Sequence, residues 1–214
     1  MSEEKIEKES KKDFLEKWKS YCVIDREIRG INKYMIREII EGMVKESFLI
    51  GYDMYNIKKV LLYYLNIEKL PKLENRILND KLQLVLLGYH FIENSKRRYK
   101  AFMENVDDRP YWQYVAVLDL RTCEICRKLH SKVYRYDHPI WTEYFPPNHP
   151  GCRCMVRALN LNDIKERKIV VLKEFDRNEL PIDREWACLP INMDWYNLYG
   201  KYLEEIEDLL EKYF

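Results

Sequence analysis

The chain has 214 residues, enough to bury a core as one domain or as one domain with an appendage. Charged residues make up 34% of it, yet the net charge is only +1, so no global field drives it onto nucleic acid or an anionic membrane. The mixed Glu/Lys N-terminus does not read as a signal peptide and no apolar run approaches the ~18 residues that span a bilayer, so a soluble protein in a reducing compartment is expected.

Residues 1–12 form a charge-rich lead expected to fray. From Asp13 an apolar stripe at Phe14, Trp18, Tyr21 or Cys22, Ile28, Ile31, Met35 and Ile39 has helical spacing and runs on to about Ile50. Gly30 is expected to kink or break it. A second helix is predicted over about Asn56–Leu65, with a break at Leu70-Pro71. The third helix has the clearest pattern: Leu84, Gly88, Phe91, Ser95, Tyr99, Phe102 and Val106 step by four and three. Beside that stripe, Lys96, Arg97, Arg98 and Lys100 read as a solvated face, with a contact to acidic protein or phosphate backbone as the alternative.

After Asp107-Asp108-Arg109-Pro110 the periodicity shortens. Residues 112–118, 132–136 and 153–159 read as strands of a small sheet, which metal and the long helix would hold. The loop 137–148 is rich in aromatics and proline. Its Trp141 and Phe145 either cover the core or form a docking arm. Asn162 or Asp163 is expected to cap a helical turn, and Lys168–Leu172 to add a strand. Asp194 caps a last amphipathic helix in which Trp195, Leu198, Tyr202, Ile206, Leu209 and Tyr213 share a face.

Four of the six cysteines and one of the four histidines fall in two short pieces, residues 121–126 and 147–154. Cys123-x-x-Cys126 and His149-Pro150-Gly151-Cys152 share an i, i+3 spacing that turns two side chains onto one ion. Pro150 stiffens the second turn and Gly151 permits a positive φ. The predicted ligands are therefore Cys123, Cys126, His149 and Cys152 around a structural zinc ion, with Cys154 in place of His149 as the alternative. Buried free thiols or disulfides are the competing reading. His130 is expected to pack or hydrogen-bond, and Cys22 and Cys188 to serve as small core residues. Asp119, Arg121 and Arg153 are expected to pair or to satisfy carbonyls of the facing loop, or else to bind an anion.

Asp119-Leu120-Arg121-Thr122-Cys123-x-x-Cys126, then Leu129-His130-x-Lys132-Val133, then Pro146-Pro147-x-His149-Pro150-x-Cys152-Arg153-Cys154 resembles the signature of the Mu F-like head morphogenesis (minor head) proteins of phages. The resemblance covers about residues 76–160, including a helix over about 76–105 and an aromatic supplied by Trp112. Ser131 stands where family members usually carry Gly. The resemblance implies a minor capsid component, with portal protein and capsid or scaffold subunits as partners. It would act in the host cytoplasm during assembly and in the virion head.

The expected fold is α+β and predominantly helical: long N-terminal and central helices, a small antiparallel sheet stapled by a Cys/His zinc site, and a C-terminal amphipathic helix. The expected regions are 1–70 (helical), 71–160 (Mu F-like, with the metal site) and 161–214 (an extension ending in a helix). A structural, non-enzymatic role is expected, because four protein ligands leave no open coordination position. A metal-dependent nuclease or hydrolase using Asp119, His130, His138 or His149 is one alternative. A zinc-ribbon DNA binder is another, making a weak DNA contact through Lys96–Lys100 with Arg121, Arg127 and Lys128. A Cys-x-x-Cys oxidoreductase is set aside because no βαβ pattern surrounds Cys123.

Overall fold

The computed structural model describes residues 13, 16–18, 33–50, 54–64 and 70–213. The expectations at Phe14, Tyr21, Cys22, Ile28, Gly30 and Ile31, and for residues 1–12, lie outside them. The chain divides into two compact units, Met1–Tyr89 with Tyr199–Phe214, and His90–Leu198. Among the described residues no helix is long and apolar enough to cross a membrane.

In the first unit, α1 (Lys33–Ile50) buries Met35, Ile39, Ile40, Met43 and Val44, which recur at helical spacing. The next helix, α2 (Met54–Tyr64), buries Ile57 and Leu61. Pro71 directly precedes α3 (Lys72–Glu104), so this helix starts four residues before the expected position. Its first half buries Leu78, Leu82, Val85, Leu86 and Tyr89.

The last helix, α7 (Trp195–Glu211), begins where Asp194 Oδ1 accepts from the N–H groups of Tyr196 (2.8 Å) and Asn197 (3.2 Å). Trp195, Leu198 and Ile206 are buried as expected. Tyr202, Leu209 and Tyr213 are only half-buried, and Tyr199, Leu203 and Leu210 take the inner positions instead. Gly88 explains the rotation: a Cβ there would stand 2.1 Å from Tyr199 Cζ, so its missing side chain is the space the Tyr199 ring fills.

The second unit is built on a three-stranded antiparallel sheet of order β2-β1-β3, formed by β1 (Tyr111–Val115), β2 (Val133–Arg135) and β3 (Met155–Leu159). Trp112 pairs with Tyr134 on one side and Ala158 on the other, and Tyr114 pairs with Val156. Alternation along β1 puts Trp112 and Tyr114 on the buried face. The second half of α3 packs onto that face: Tyr99 and Phe102 approach the Trp112 ring at centroid distances of 5.9 and 5.7 Å.

The strands are shorter than expected. Ala116 N–H leaves the ladder to donate to His130 Nδ1 at 3.1 Å, and Asp119 N–H turns back onto Val117 O at 3.0 Å. Lys168–Leu172 forms no strand, only a single parallel bridge between Val171 and Val133. The capping residue of α6 (Leu161–Glu166) is Asn160 rather than Asn162 or Asp163, with Asp163 closing a capping box from the third helical position. Within the loop 137–148, which contains the short helix α5 (Trp141–Tyr144), Trp141 and Phe145 are buried against Trp112, and Trp141 Nε1 donates to Arg135 O at 2.9 Å. The loop is a cover for the core and not an exposed arm.

Candidate metal centre

The first loop leaves β1 and turns sharply before α4 (Glu124–Leu129). Asp119 organises it: its Oδ1 accepts from Arg121 N–H at 3.0 Å and from the Thr122 hydroxyl at 3.1 Å. Arg127 then reaches back to donate to the carbonyls of Thr122 (3.0 Å) and Asp119. Arg121, whose side chain is 80% exposed, keeps the expected pairing with Asp119 at 3.9 Å, and the carbonyl contacts within this loop come from Arg127. Cys123 caps α4 by accepting from Cys126 N–H at 3.4 Å, which places both sulfurs of the first pair on the inner side of the turn.

The second loop closes through Cys152 N–H to His149 O at 3.1 Å, and Gly151 has the expected positive φ of 71°. His149 Nδ1 lies 2.9 Å from Pro150 O. A proton on Nδ1 satisfies that carbonyl and leaves Nε2 as the free lone pair, the tautomer a metal ligand requires. Arg153 turns away from the sulfurs and donates to Asp119 Oδ1 at 2.7 Å, joining the loops.

The two loops bring all the candidate donors around Cys126. The ligand atoms of Cys123, Cys126 and His149 lie within 4.8 Å of one another, and so do those of Cys126, Cys152 and Cys154. Cys126 Sγ stands 3.5 Å from His149 Nε2 and 4.0 Å from Cys152 Sγ. Two sulfurs bound at about 2.3 Å to one tetrahedral zinc would be roughly 3.8 Å apart, so these spacings suit a shared ion. Either cluster could hold a metal, and the donor set of soft sulfurs with one imidazole is the zinc type.

Electrostatics lead the same way. Contacts with Cys152 and then Cys154 push the Cys126 thiol up, while the hydrogen bonds Cys152 receives from Cys126 and Cys154 drive its own value well down. Without a cation such a group sustains few thiolates, because each further negative charge meets the first at contact distance. A divalent cation removes that repulsion, so its binding and thiol deprotonation proceed together. Between the loops lies a void of about 10 Å³ lined by Cys126, His149 and Cys154 and also by Arg121 and Arg153, but by neither Cys123 nor Cys152. That is the scale of one small particle, far below the several hundred Å³ of a substrate pocket.

Two further residues serve the centre. Tyr114, buried on β1, places its hydroxyl 3.3 Å from Cys126 Sγ, and Asn148 Nδ2 donates to that hydroxyl at 3.0 Å. Burial, then the neighbouring Cys152 and Cys126 sulfurs, raise the phenol well above its ordinary range, so it keeps its proton for donation. Strand alternation marks Tyr114 as inward-facing, but no local signal links it or Asn148 to the cysteines. The other histidines are engaged elsewhere: His130 Nδ1 with Ala116 N–H, His138 with Ile140 N–H (3.1 Å) and Lys173 O (3.2 Å), and His90 with Asn94 (2.7 Å). Cys188 is half-buried, and burial raises its thiol.

Residues 70–157 match the family described as Phage Mu protein F like protein. The Mu-like prophage FluMu F protein of Haemophilus influenzae is 50% identical over 74 residues, 35% of this chain and 18% of that protein. Protein F of Escherichia phage Mu, named for a proposed role in capsid assembly, is 48% identical over 69 residues, 32% of this chain and 16% of that protein. The chain thus matches less than a fifth of the length of these relatives, and no solved structure matches it. The segment from α3 through β3, which carries both cysteine loops, is the part shared with the family.

Proposed function

We propose that this chain is a phage or prophage minor head protein that acts in head morphogenesis. In this reading one zinc ion, held by Cys123, Cys126, His149 and Cys152, makes its centre a rigid and non-catalytic scaffold. Its partners are the portal protein and capsid or scaffold subunits, met in the host cytoplasm during assembly and retained in the virion head. The Mu F-like match over residues 70–157 supports the assembly role, since the phage Mu relative is named for it. The observation that carries the zinc reading is the convergence of two Cys/His clusters on Cys126. When bound, zinc supplies cross-linking of the two loops, which such a short sheet does not achieve through its ladder alone.

Cys154 is the alternative fourth ligand, because it shares the second cluster with Cys126 and Cys152. A nuclease would need an open metal position and a poised base, and among the described residues neither cluster includes a carboxylate. The basic run is engaged locally as well: Lys96 pairs with Glu93 at 2.8 Å and Arg98 donates to Val156 O at 3.2 Å. The Lys96 ion pair lowers the net charge of the run, which favours a solvated face over a DNA-binding strip.

The experiment is co-expression with the portal and major capsid proteins of the same phage or prophage, with elemental analysis of the purified chain. The expected result is ~1 zinc per chain and capture of a head subunit, both lost in Cys126→Ser. A metal-free chain with full capture would end the zinc reading. Metal without capture of any head protein would end the assembly reading.

A further inference from the structure

A groove of about 370 Å³ runs between the second half of α3 and the start of β3. Phe91, Phe145, Pro146 and Met155 give it apolar walls, while Arg97, Arg98 and Arg153 supply its charges; among the described residues no acidic side chain lines it. Arg153 is matched by Asp119, and Arg97 and Arg98, both exposed, lie on the groove's helical wall, where Arg97 donates to Glu93 O at 3.4 Å and to Asn94 Oδ1 at 3.2 Å. The groove opens along β3, an edge strand of the sheet.

That edge is covered in an unusual manner. The two outward carbonyls of β3 accept from guanidinium groups, Val156 O from Arg98 at 3.2 Å and Ala158 O from Arg109 at 3.5 Å. The opposite sheet edge is closed by backbone instead, through Leu172 N–H to Val133 O at 2.8 Å. Arginine side chains cover a bare strand edge and so prevent indiscriminate pairing. They are also exchangeable: a single long hydrogen bond to a neutral carbonyl is much weaker than a bidentate bond to a carboxylate. A peptide laid along β3 would donate its own N–H groups to Val156 O and Ala158 O. The displaced Arg98 would then be free to take an acidic side chain of that peptide.

We infer that this groove and strand edge form a docking site for an extended acidic segment of another head protein, added as a fourth strand beside β3. The inference rests on the assembly reading for the identity of the partner, not for the existence of the site. A peptide fits better than a nucleic acid for two reasons. A phosphate backbone has no donor for the two strand carbonyls, and the apolar walls suit alternate side chains of a strand.

The test is selection of a displayed random dodecapeptide library on the full, metal-loaded chain, followed by fluorescence anisotropy with the winning peptide. The expected consensus alternates acidic and apolar residues. Affinity should fall about tenfold or more in Arg98→Glu and in Arg97→Glu, and stay unchanged in Lys201→Glu. Amide exchange at Val156 and Ala158 should slow on binding. If Arg98→Glu does not fold, Arg97→Glu decides. A basic consensus, no consensus, indifference to both substitutions, or displacement of the peptide by a single-stranded DNA oligonucleotide would overturn the proposal. Peptide binding without capture of portal or capsid protein would leave the docking site standing and remove only the assembly reading.

Discussion

Arg153 Nη2 donates to Asp119 Oδ1 at 2.7 Å, so the two cysteine-bearing loops are tied by side chains as well as by any ion they share. Arg153 lies between Cys152 and Cys154, and Asp119 also anchors the turn before Cys123. The pair therefore links the two donor-bearing loops independently of any metal.

Arg153 first, then the Arg121 N–H and the Thr122 hydroxyl, hold the Asp119 carboxyl down at about 2, below its ordinary 3.8. A depressed folded value contributes stability that is present above the unfolded pKa and is lost as pH falls towards the folded one. Asp119→Asn should therefore melt lower than the parent at neutral pH. The difference should hold down to about pH 4 and shrink between about pH 4 and pH 2. Because the two proteins are compared at each pH, acid release of metal largely cancels. A melting difference that grows on acidification would contradict this role.

Removal of single ligands discriminates the two candidate sets. Cys126→Ser should lose metal altogether, since Cys126 belongs to both clusters. Cys123→Ser and Cys152→Ser should do likewise if the proposed four bind, while Cys154→Ser keeps its zinc. Loss of zinc in Cys154→Ser with retention in His149→Ala would establish the alternative set. Elemental analysis of each purified variant reads the outcome.

Tyr114→Phe removes the hydroxyl 3.3 Å from Cys126 Sγ and leaves the ring's packing in place. Zinc affinity should drop by about 10- to 100-fold, the usual effect of removing a group that orients a ligand. Competition with a chromophoric chelator measures it, and an unchanged affinity would show that the phenol only fills space.

Ser131 has φ 65°, in the left-handed region, and its N–H donates to Tyr114 O at 2.8 Å. A glycine adopts this conformation without a Cβ penalty. Ser131→Gly should stabilise the protein by about 0.5–1 kcal/mol, since release of the left-handed strain exceeds glycine's extra unfolded-state entropy. Denaturant titration gives the sign.

Gly88 and Gly200 should respond oppositely to alanine. A Cβ at Gly88 would meet the buried Tyr199 ring at 2.1 Å, so Gly88→Ala should destabilise by about 1–3 kcal/mol despite alanine's better helix propensity. Gly200 has nothing within 4 Å of such a Cβ, and Gly200→Ala should stabilise α7 by about 0.5–1 kcal/mol. Equal effects at the two sites would refute the close approach at Gly88.

Local pattern was enough for much of this. The stepped stripe from Leu84 to Val106 announced α3, the period-2 segments announced the three strands, and the i, i+3 spacings announced two turns able to hold donors. The string from Asp119 to Cys154 identified the family segment. These are short-range facts, because backbone periodicity and turn geometry depend on neighbours within a few residues. The tertiary structure decided the rest. It made Cys126 the member common to both clusters, gave the carbonyl contacts of the first loop to Arg127, buried Trp141 and Phe145, recruited Tyr114 and Asn148, and rotated α7 to seat Tyr199 on Gly88. Each of these depends on which side chains meet across long stretches of chain. That is set by the register of β1 between its two neighbours and by the packing of α3, neither of which is written in any single stretch of sequence.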